Sequence, residues 1–188
     1  MIDFKQIELS DKVWIDPLLQ RSNYRGAEYC FTNLFVWSSI YQTRVSRADH
    51  FLLIRTGSIE RPLDIFPAGT GDVKSLIDSL LDHAVQEQRE FRMLCVGVEQ
   101  AGLLQQLYPD LFETTPARNS WDYIYKVEDL SALKGKRYQS KRNHISRFIE
   151  LPHWRYEPIT GRNTAECIEM NKTWCKQMGC ADNKSLFM

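Results

Sequence analysis

The stretch Leu63-Asp-Ile-Phe66-Pro-Ala-Gly69-Thr-Gly71-Asp72-Val73-Lys-Ser-Leu76-Ile77-Asp-Ser-Leu80-Leu81-Asp-His83-Ala84 decides the fold class. Residues 63–66 form a short β-prone run that the following Pro-Ala-Gly-Thr-Gly brings to a stop. From Asp72 the period changes. Val73, Leu76, Ile77, Leu80, Leu81 and Ala84 recur at steps of three and four with polar residues between them, which predicts an amphipathic helix. Asp72 stands where its carboxylate can accept from the first helical N–H groups. His83 lies at the edge of the apolar stripe and is expected to be partly solvated.

Working outward toward the N-terminus, residues 51–55 and 43–46 bracket Arg47-Ala-Asp-His50 and read as a hairpin. Before it, Phe31, Leu34 and Phe35 lay an apolar stripe on a helix that Ser38 interrupts, and Asn23-Tyr-Arg-Gly26 separates this helix from one capped at Ser10 or Asp11. Phe4, Ile7 and Leu9 suggest an opening strand. In the other direction, residues 91–96 read as a strand and 99–107 as a short helix ended by Pro109. Residues 112–115 and 121–125 read as paired strands. Helices inserted among consecutive strands predict an α/β (α+β) unit over residues 1–128, a mixed sheet flanked by helices.

After Leu130 the composition changes. The chain as a whole has 24 Lys and Arg against 24 Asp and Glu. Residues 1–128 hold 13 of these bases against 18 acids, a net of −5, and residues 129–188 hold 11 against 6, a net of +5. The division suggests two regions with different partners. Residues 129–188 read as a basic helix, a strand at 154–158 and a helix capped by Asn163 with Cys167, Trp174, Cys175 and Met178 on one face. A lone strand cannot form a sheet. It joins the first sheet, pairs with another copy in a homo-oligomer, or belongs to a domain that continues past Met188; the third is the expectation. A shift of 152 residues, which lays Phe4, Ile7, Asp11, Ile15 and Leu18 on Tyr156, Ile159, Asn163, Cys167 and Met170, is consistent with it.

In the 188 residues no apolar run approaches the roughly 18 residues of a membrane helix, and Met1-Ile-Asp-Phe-Lys lacks a signal-peptide pattern. Five Cys, odd in number and scattered, with no C-x-x-C, point to reduced thiols in a cytoplasmic protein and away from a zinc site. The four His are dispersed, with no His-x-x-x-His and no Gly-x-Ser-x-Gly. Cys95 reads as a core thiol, and Glu28 and Glu169 are the only acids considered as general bases.

Two segments carry candidate binding chemistry. Gly69-Thr-Gly71 before a strong helix can let a phosphate or pyrophosphate approach the helical N–H groups, or it is a plain turn with an Asp cap. It lacks the Lys-Ser/Thr of a Walker loop and the third glycine of a dinucleotide fingerprint. Residues 134–147 contain six Lys and Arg and no acid. In this run Lys136, Arg137, Lys141, Arg142 and His144 suit nucleic-acid phosphates, acidic lipid headgroups or a polyphosphate cofactor, or they form a solvated basic helix. Ile145 and Phe148 are expected to face a core.

Several stretches together resemble a known family. Asn23-Tyr-Arg-Gly-Ala-Glu-Tyr-Cys-Phe-Thr-Asn-Leu-Phe-Val-Trp37, Phe66-Pro-Ala-Gly-Thr-Gly-Asp72, Ser140-Lys-Arg-Asn-His-Ile-Ser-Arg-Phe148 and Glu169-Met-Asn-Lys-Thr-Trp-Cys175 look like bacterial proteins grouped with the C-terminal domain of phosphatidylglycerol lysyltransferases. The resemblance implies two tandem domains of the GNAT-like acyl-CoA N-acyltransferase fold, with the second truncated here. It implies kinship with acyl- or aminoacyl-transferases that use acyl-CoA or aminoacyl-tRNA as donor, with no metal. Gly69 and Gly71 then stand where such a fold receives the donor's pyrophosphate. The usual Arg/Gln-x-x-Gly-x-Gly/Ala is only partly matched, because Phe66 stands at its first position. Partners implied are tRNA or an anionic lipid headgroup; the alternatives are a non-enzymatic module that binds one of these through the basic helix, and a CoA-dependent N-acetyltransferase working through the first domain alone.

Overall fold

The quoted strand, turn and helix are present in the computed structural model, which describes residues 2–179. Strand β4 (Leu63–Gly69) feeds helix α4 (Val73–Gln86). The strand runs three residues further than its sequence suggests, through Pro67. The register explains this: Ile54 pairs with Ile65 but Leu52 with Ala68, so Phe66 and Pro67 together oppose Leu53. A bulge of this kind spares the proline a ladder hydrogen bond it could not donate.

The chain divides into two compact units, Met1–Asp122 and Tyr123–Met188. In the first, a five-stranded mixed sheet runs β1 (Lys5–Gln6), β2 (Arg44–Ala48), β3 (Phe51–Thr56), β4 and β5 (Met93–Leu94) in spatial order. Every pairing is antiparallel except β4 with β5. Helices α1 (Lys12–Ser22), α2 (Phe31–Val36) and α3 (Ser38–Tyr41) precede β2, and α5 (Val98–Leu107) follows β5.

Both faces of the sheet are covered. This explains why β3 is apolar without alternation over Phe51-Leu-Leu-Ile54. Leu52 and Ile54 join Ile15, Leu18, Phe31 and Leu34 on the α1–α2 face. Phe51 and Leu53 join Phe66, Leu76, Ile77 and Leu80 on the α4 face. Asp72 caps α4 as expected, its Oδ1 accepting from the Ser75 N–H at 3.0 Å.

The α4 face also holds charge. Arg55 and Asp64 are a cross-strand pair, each 3% exposed at the side chain, with Arg55 Nε donating to Asp64 Oδ1 at 2.8 Å. Arg55 Nη1 reaches Glu87 at 3.1 Å, and Arg89 joins Asp64 at 3.0 Å and Glu87 at 2.6 Å. The Phe4 ring covers the Arg55 guanidinium at 4.0 Å. His83 is buried beside this network, which corrects the expectation of partial solvation. The helix's last turn lies over the sheet rather than at a wet edge. Its Nε2 is 3.3 Å from Glu87 Oε1, but neither ring nitrogen makes a hydrogen bond.

Burial holds the His83 pKa below its ordinary value, and Arg55 and Arg89 push in the same direction against Glu87 and Asp64. The imidazole is therefore harder to protonate in the folded protein than in the unfolded chain, which takes up the proton from about pH 6.5 downward. Stability is expected to be full above that pH and to fall as the pH drops below it, by no more than ~1.4 kcal/mol per pH unit for one proton. Urea titrations of wild type and His83→Phe between neutral pH and the onset of carboxylate protonation test this. A slope that survives in the variant would assign it to another group.

The expected pairing of residues 112–115 with 121–125 is absent. Residues 112–117 are irregular, a short 3-10 turn covers Arg118–Ser120, and 121–126 are irregular and unpaired. Trp121, Tyr123 and Tyr125 stand 57%, 89% and 51% exposed, so β-prone side chains here meet no neighbouring strand to pack against. Residues 154–158 are likewise unpaired among the described residues. The second unit contains helices α6 (Val127–Ala132), α7 (Gln139–Ile149) and α8 (Thr164–Gln177). Asn163 precedes α8 as expected, but its side chain ties the preceding loop, accepting from Thr160 N–H at 2.7 Å and donating to Pro158 O at 3.0 Å.

Candidate functional site

The Gly69–Gly71 turn is shaped by the chain itself. Gly69 has φ +147°, and a Cβ there would lie 2.1 Å from the His50 carbonyl oxygen; at Gly71, φ is +152° and a Cβ would meet the Phe51 ring at 2.9 Å. Both glycines let β4 close against the β2–β3 hairpin, a requirement that exists without any ligand. The Asp72 carboxylate already takes the Ser75 N–H at the start of α4, where an anion would otherwise bind.

The second unit places the basic residues unevenly. Lys136, Arg137, Lys141 and His144 are exposed, and Arg142 is half-buried. Arg137 pairs with Asp129 at 2.8 Å and lies over the Tyr138 ring at 4.6 Å. Arg142 donates to the Leu133 carbonyl, to Gly135 O at 2.9 Å and to Gln139 Oε1 at 2.5 Å. Leu133 and Gly135 both have positive φ, so this guanidinium satisfies the carbonyls of a tight turn between α6 and α7. Lys136 and Lys141 have no acidic partner among the described residues. Ile145 and Phe148 are 46% and 51% exposed rather than facing a core, because no described element of the second unit covers that side of α7.

A third place escaped the sequence reading. The parallel ladder of β4 and β5 lasts two residue pairs, Asp64 with Met93 and Ile65 with Leu94. Cys95 then takes φ +56° and the two chains part. Tyr29 fills the wedge: its hydroxyl lies 3.1 Å from Phe66 O and 3.2 Å from Cys95 O, sharing one proton between the two carbonyls. Burial pushes the Tyr29 phenol well above its ordinary range, with the nearby Cys95, Tyr24 and Glu28 adding to the effect. Burial and then the Glu28 carboxylate push the Cys95 thiol up to about 12. Cys95 is thus held as a neutral thiol at physiological pH, and it is partly buried rather than in the core.

Above this wedge, α1 and the Tyr24–Thr32 segment enclose an open cleft of about 420 Å³ lined by Lys12, Asp16, Asn23, Tyr24, Tyr29 and Phe31, among others. Tyr24 stacks edge-on against Tyr29 at 4.9 Å. Lys12 pairs with Asp16 and projects over Phe31 at 5.2 Å. The available signal in the sequence was the Asn23–Trp37 stretch, in which two tyrosines flank Gly26. Periodicity could not reveal their role, since they act from an irregular segment.

Of the two acids considered as bases, Glu28 is half-buried beside Cys95, and Glu169 is exposed and paired with Lys172 at 2.6 Å. Among the described residues no group of three or more His, Cys, Asp or Glu is arranged so that it could hold a metal ion. No helix among them is long and apolar enough to cross a membrane.

The model of the family described as phosphatidylglycerol lysyltransferase, C-terminal, matches residues 19–188. The chain belongs to that family. The match covers all four stretches that carry the resemblance. A solved structure similar to this family member is that of a conserved protein of unknown function from Bacteroides thetaiotaomicron VPI-5482, with 36% identity and a TM-score of 0.84. The similarity covers 97% of this chain and 62% of that one, so this chain spans less than two thirds of that relative's length. No curated protein matches it.

Proposed function

We propose that this chain carries part of a transferase that moves an acyl or aminoacyl group from acyl-CoA or aminoacyl-tRNA to an amine or lipid-type acceptor. The observation that carries the reading is the family match over residues 19–188, in a family described by a lysyltransferase. The element order of the first unit agrees with a GNAT-like domain: strand, helices, three antiparallel strands, helix, parallel strand, helix. On this proposal residues 129–188 open a second domain of the same kind. In such a reaction the acceptor nitrogen or oxygen bonds to the carbonyl carbon of the donor. The ester or thioester bond breaks, and the acceptor's proton passes through a base to the departing oxygen or sulfur. Positioning of the two reactants supplies much of the rate. We assign no base, and Gly69 and Gly71 enter as donor contacts only by their place before α4.

The test is a transfer assay with charged tRNA or acetyl-CoA and with amine or lipid acceptors, run on this chain and on the longer Bacteroides relative. Product from the relative and none from this chain alone is the expected result. Turnover by this chain would move the Gly69–Gly71 turn to the centre of the mechanism. Failure of both proteins to bind or consume either donor would overturn the proposal.

A second reading, a module that binds an anionic partner through its basic segment without turnover, is favoured by one observation: Lys136 and Lys141 are exposed and have no acidic partner among the described residues, whereas Arg137 and Arg142 are engaged within the chain.

A further inference from the structure

Five acids of the first unit are at least partly buried: Asp11, Asp16, Glu28, Asp64 and Asp78. Four of them are held by cations, Asp11 by Lys5, Asp16 by Lys12, Asp64 by Arg55 and Arg89, and Asp78 by Lys74. Glu28 has no cationic partner among the described residues; its neighbour is the Cys95 thiol, which donates to it. The chain nevertheless makes room for this carboxylate. Gly26 has φ −67°, which any residue adopts, yet a Cβ there would lie 2.7 Å from Glu28 Oε2 and 3.4 Å from the Tyr29 ring. The glycine therefore serves the placing of Glu28 rather than the backbone.

The surroundings favour one kind of partner. Tyr29 ties this turn to Phe66 O and Cys95 O, where β4 and β5 stop pairing. These strands are the parallel pair of the sheet, and ligands of α/β sheets lie outside the carboxyl ends of parallel strands. A carboxylate at that end only accepts hydrogen bonds and carries negative charge. It suits a group that brings both positive charge and N–H donors. A phosphate would be repelled, and a metal ion would need further ligands, which the described residues do not gather here. We propose that Glu28 is the recognition point for a ligand's primary ammonium group at the carboxyl end of β4 and β5. The proposal rests on the transfer reading only for the source of that ammonium, an amine acceptor or an aminoacyl donor. Binding is measured without turnover, so the two can fail separately.

The test titrates the whole chain with n-propylamine at about pH 6.5, where the amine is protonated, and follows backbone amide resonances by NMR. Those of residues 26–29 and of Cys95 are expected to move saturably, and to stay in place with propanol, the neutral analogue. Glu28→Gln should weaken amine binding roughly tenfold or more, the usual loss for a hydrogen bond between charged groups, and Glu28→Asp by less. Gly26→Ala should weaken it as well at undiminished Tm, because its φ suits alanine. A glycine needed only for folding would show the reverse, a lower Tm with amine binding intact. Alanine methyl ester, compared with n-propylamine, assigns the source: tighter binding of the ester marks an aminoacyl donor, and of the plain amine an acceptor. Absence of saturable shifts with both amines would overturn the proposal. So would equal shifts from propanol, or amine binding that Glu28→Gln leaves untouched.

Discussion

Asp64→Ala is expected to lower the free energy of unfolding by about 3–5 kcal/mol, the usual cost of breaking a buried ion pair from one side. Asp64 receives Arg55 Nε at 2.8 Å and Arg89 Nη2 at 3.0 Å. Without it, two guanidinium groups share Glu87, whose side chain is 37% exposed, while Arg55 stays 3% exposed under the Phe4 ring. Water cannot reach Arg55 to compensate. The loss would take a large share of the 5–15 kcal/mol typical of a domain. Replacing both partners, Arg55→Leu with Asp64→Leu, should cost less than Asp64→Ala alone, because no unpaired charge remains and Arg89 keeps Glu87. Urea unfolding of the three proteins reads the order directly. A double variant less stable than the single one would mean that the network contributes through its own attraction rather than by avoiding stranded charge.

Gly69→Ala is expected to cost about 3 kcal/mol or more, as backbone strain at positive φ and overpacking add. The new methyl would sit 2.1 Å from a backbone oxygen, and backbone cannot turn aside as a flexible side chain can. Gly135→Ala is the control: it too has positive φ, but nothing lies within 4 Å, so only the conformational cost of roughly 1–2 kcal/mol remains. Both measurements are made without donor. A Gly69→Ala protein of undiminished stability that no longer binds acyl-CoA would reverse the assignment and make the glycine a ligand contact. The expected result leaves donor binding to be measured by itself.

The same contrast marks how much of the site was legible beforehand. The basic run could be read as a run, but its division into engaged and free cations could not. Arg142 is held by the Leu133 and Gly135 carbonyls because a turn of positive φ stands seven to nine residues before it and folds back beside the first turn of α7. Tyr29 left no sequence signal beyond its place in a family-like stretch, since its function depends on where two strands stop pairing. Residues 112–115, 121–125 and 154–158 have the side chains of strands and no ladder. β-Propensity describes fitness for a pleated surface, and a pleated surface requires a neighbour.

What the sequence determined by itself is therefore local: the period of α4, its Asp72 cap, the β2–β3 hairpin and the clustering of positive charge after Leu130. Each depends on residues within a turn or two of one another, and helical or alternating spacing is enough to specify it. The tertiary structure alone decided which charges are desolvated, why Gly69 must be glycine, and that Tyr29 closes the gap between β4 and β5. Those outcomes depend on groups brought together from distant positions, Arg55 with Glu87, Gly69 with His50, Tyr29 with Cys95. Burial and contact, unlike periodicity, have no value until the chain has folded.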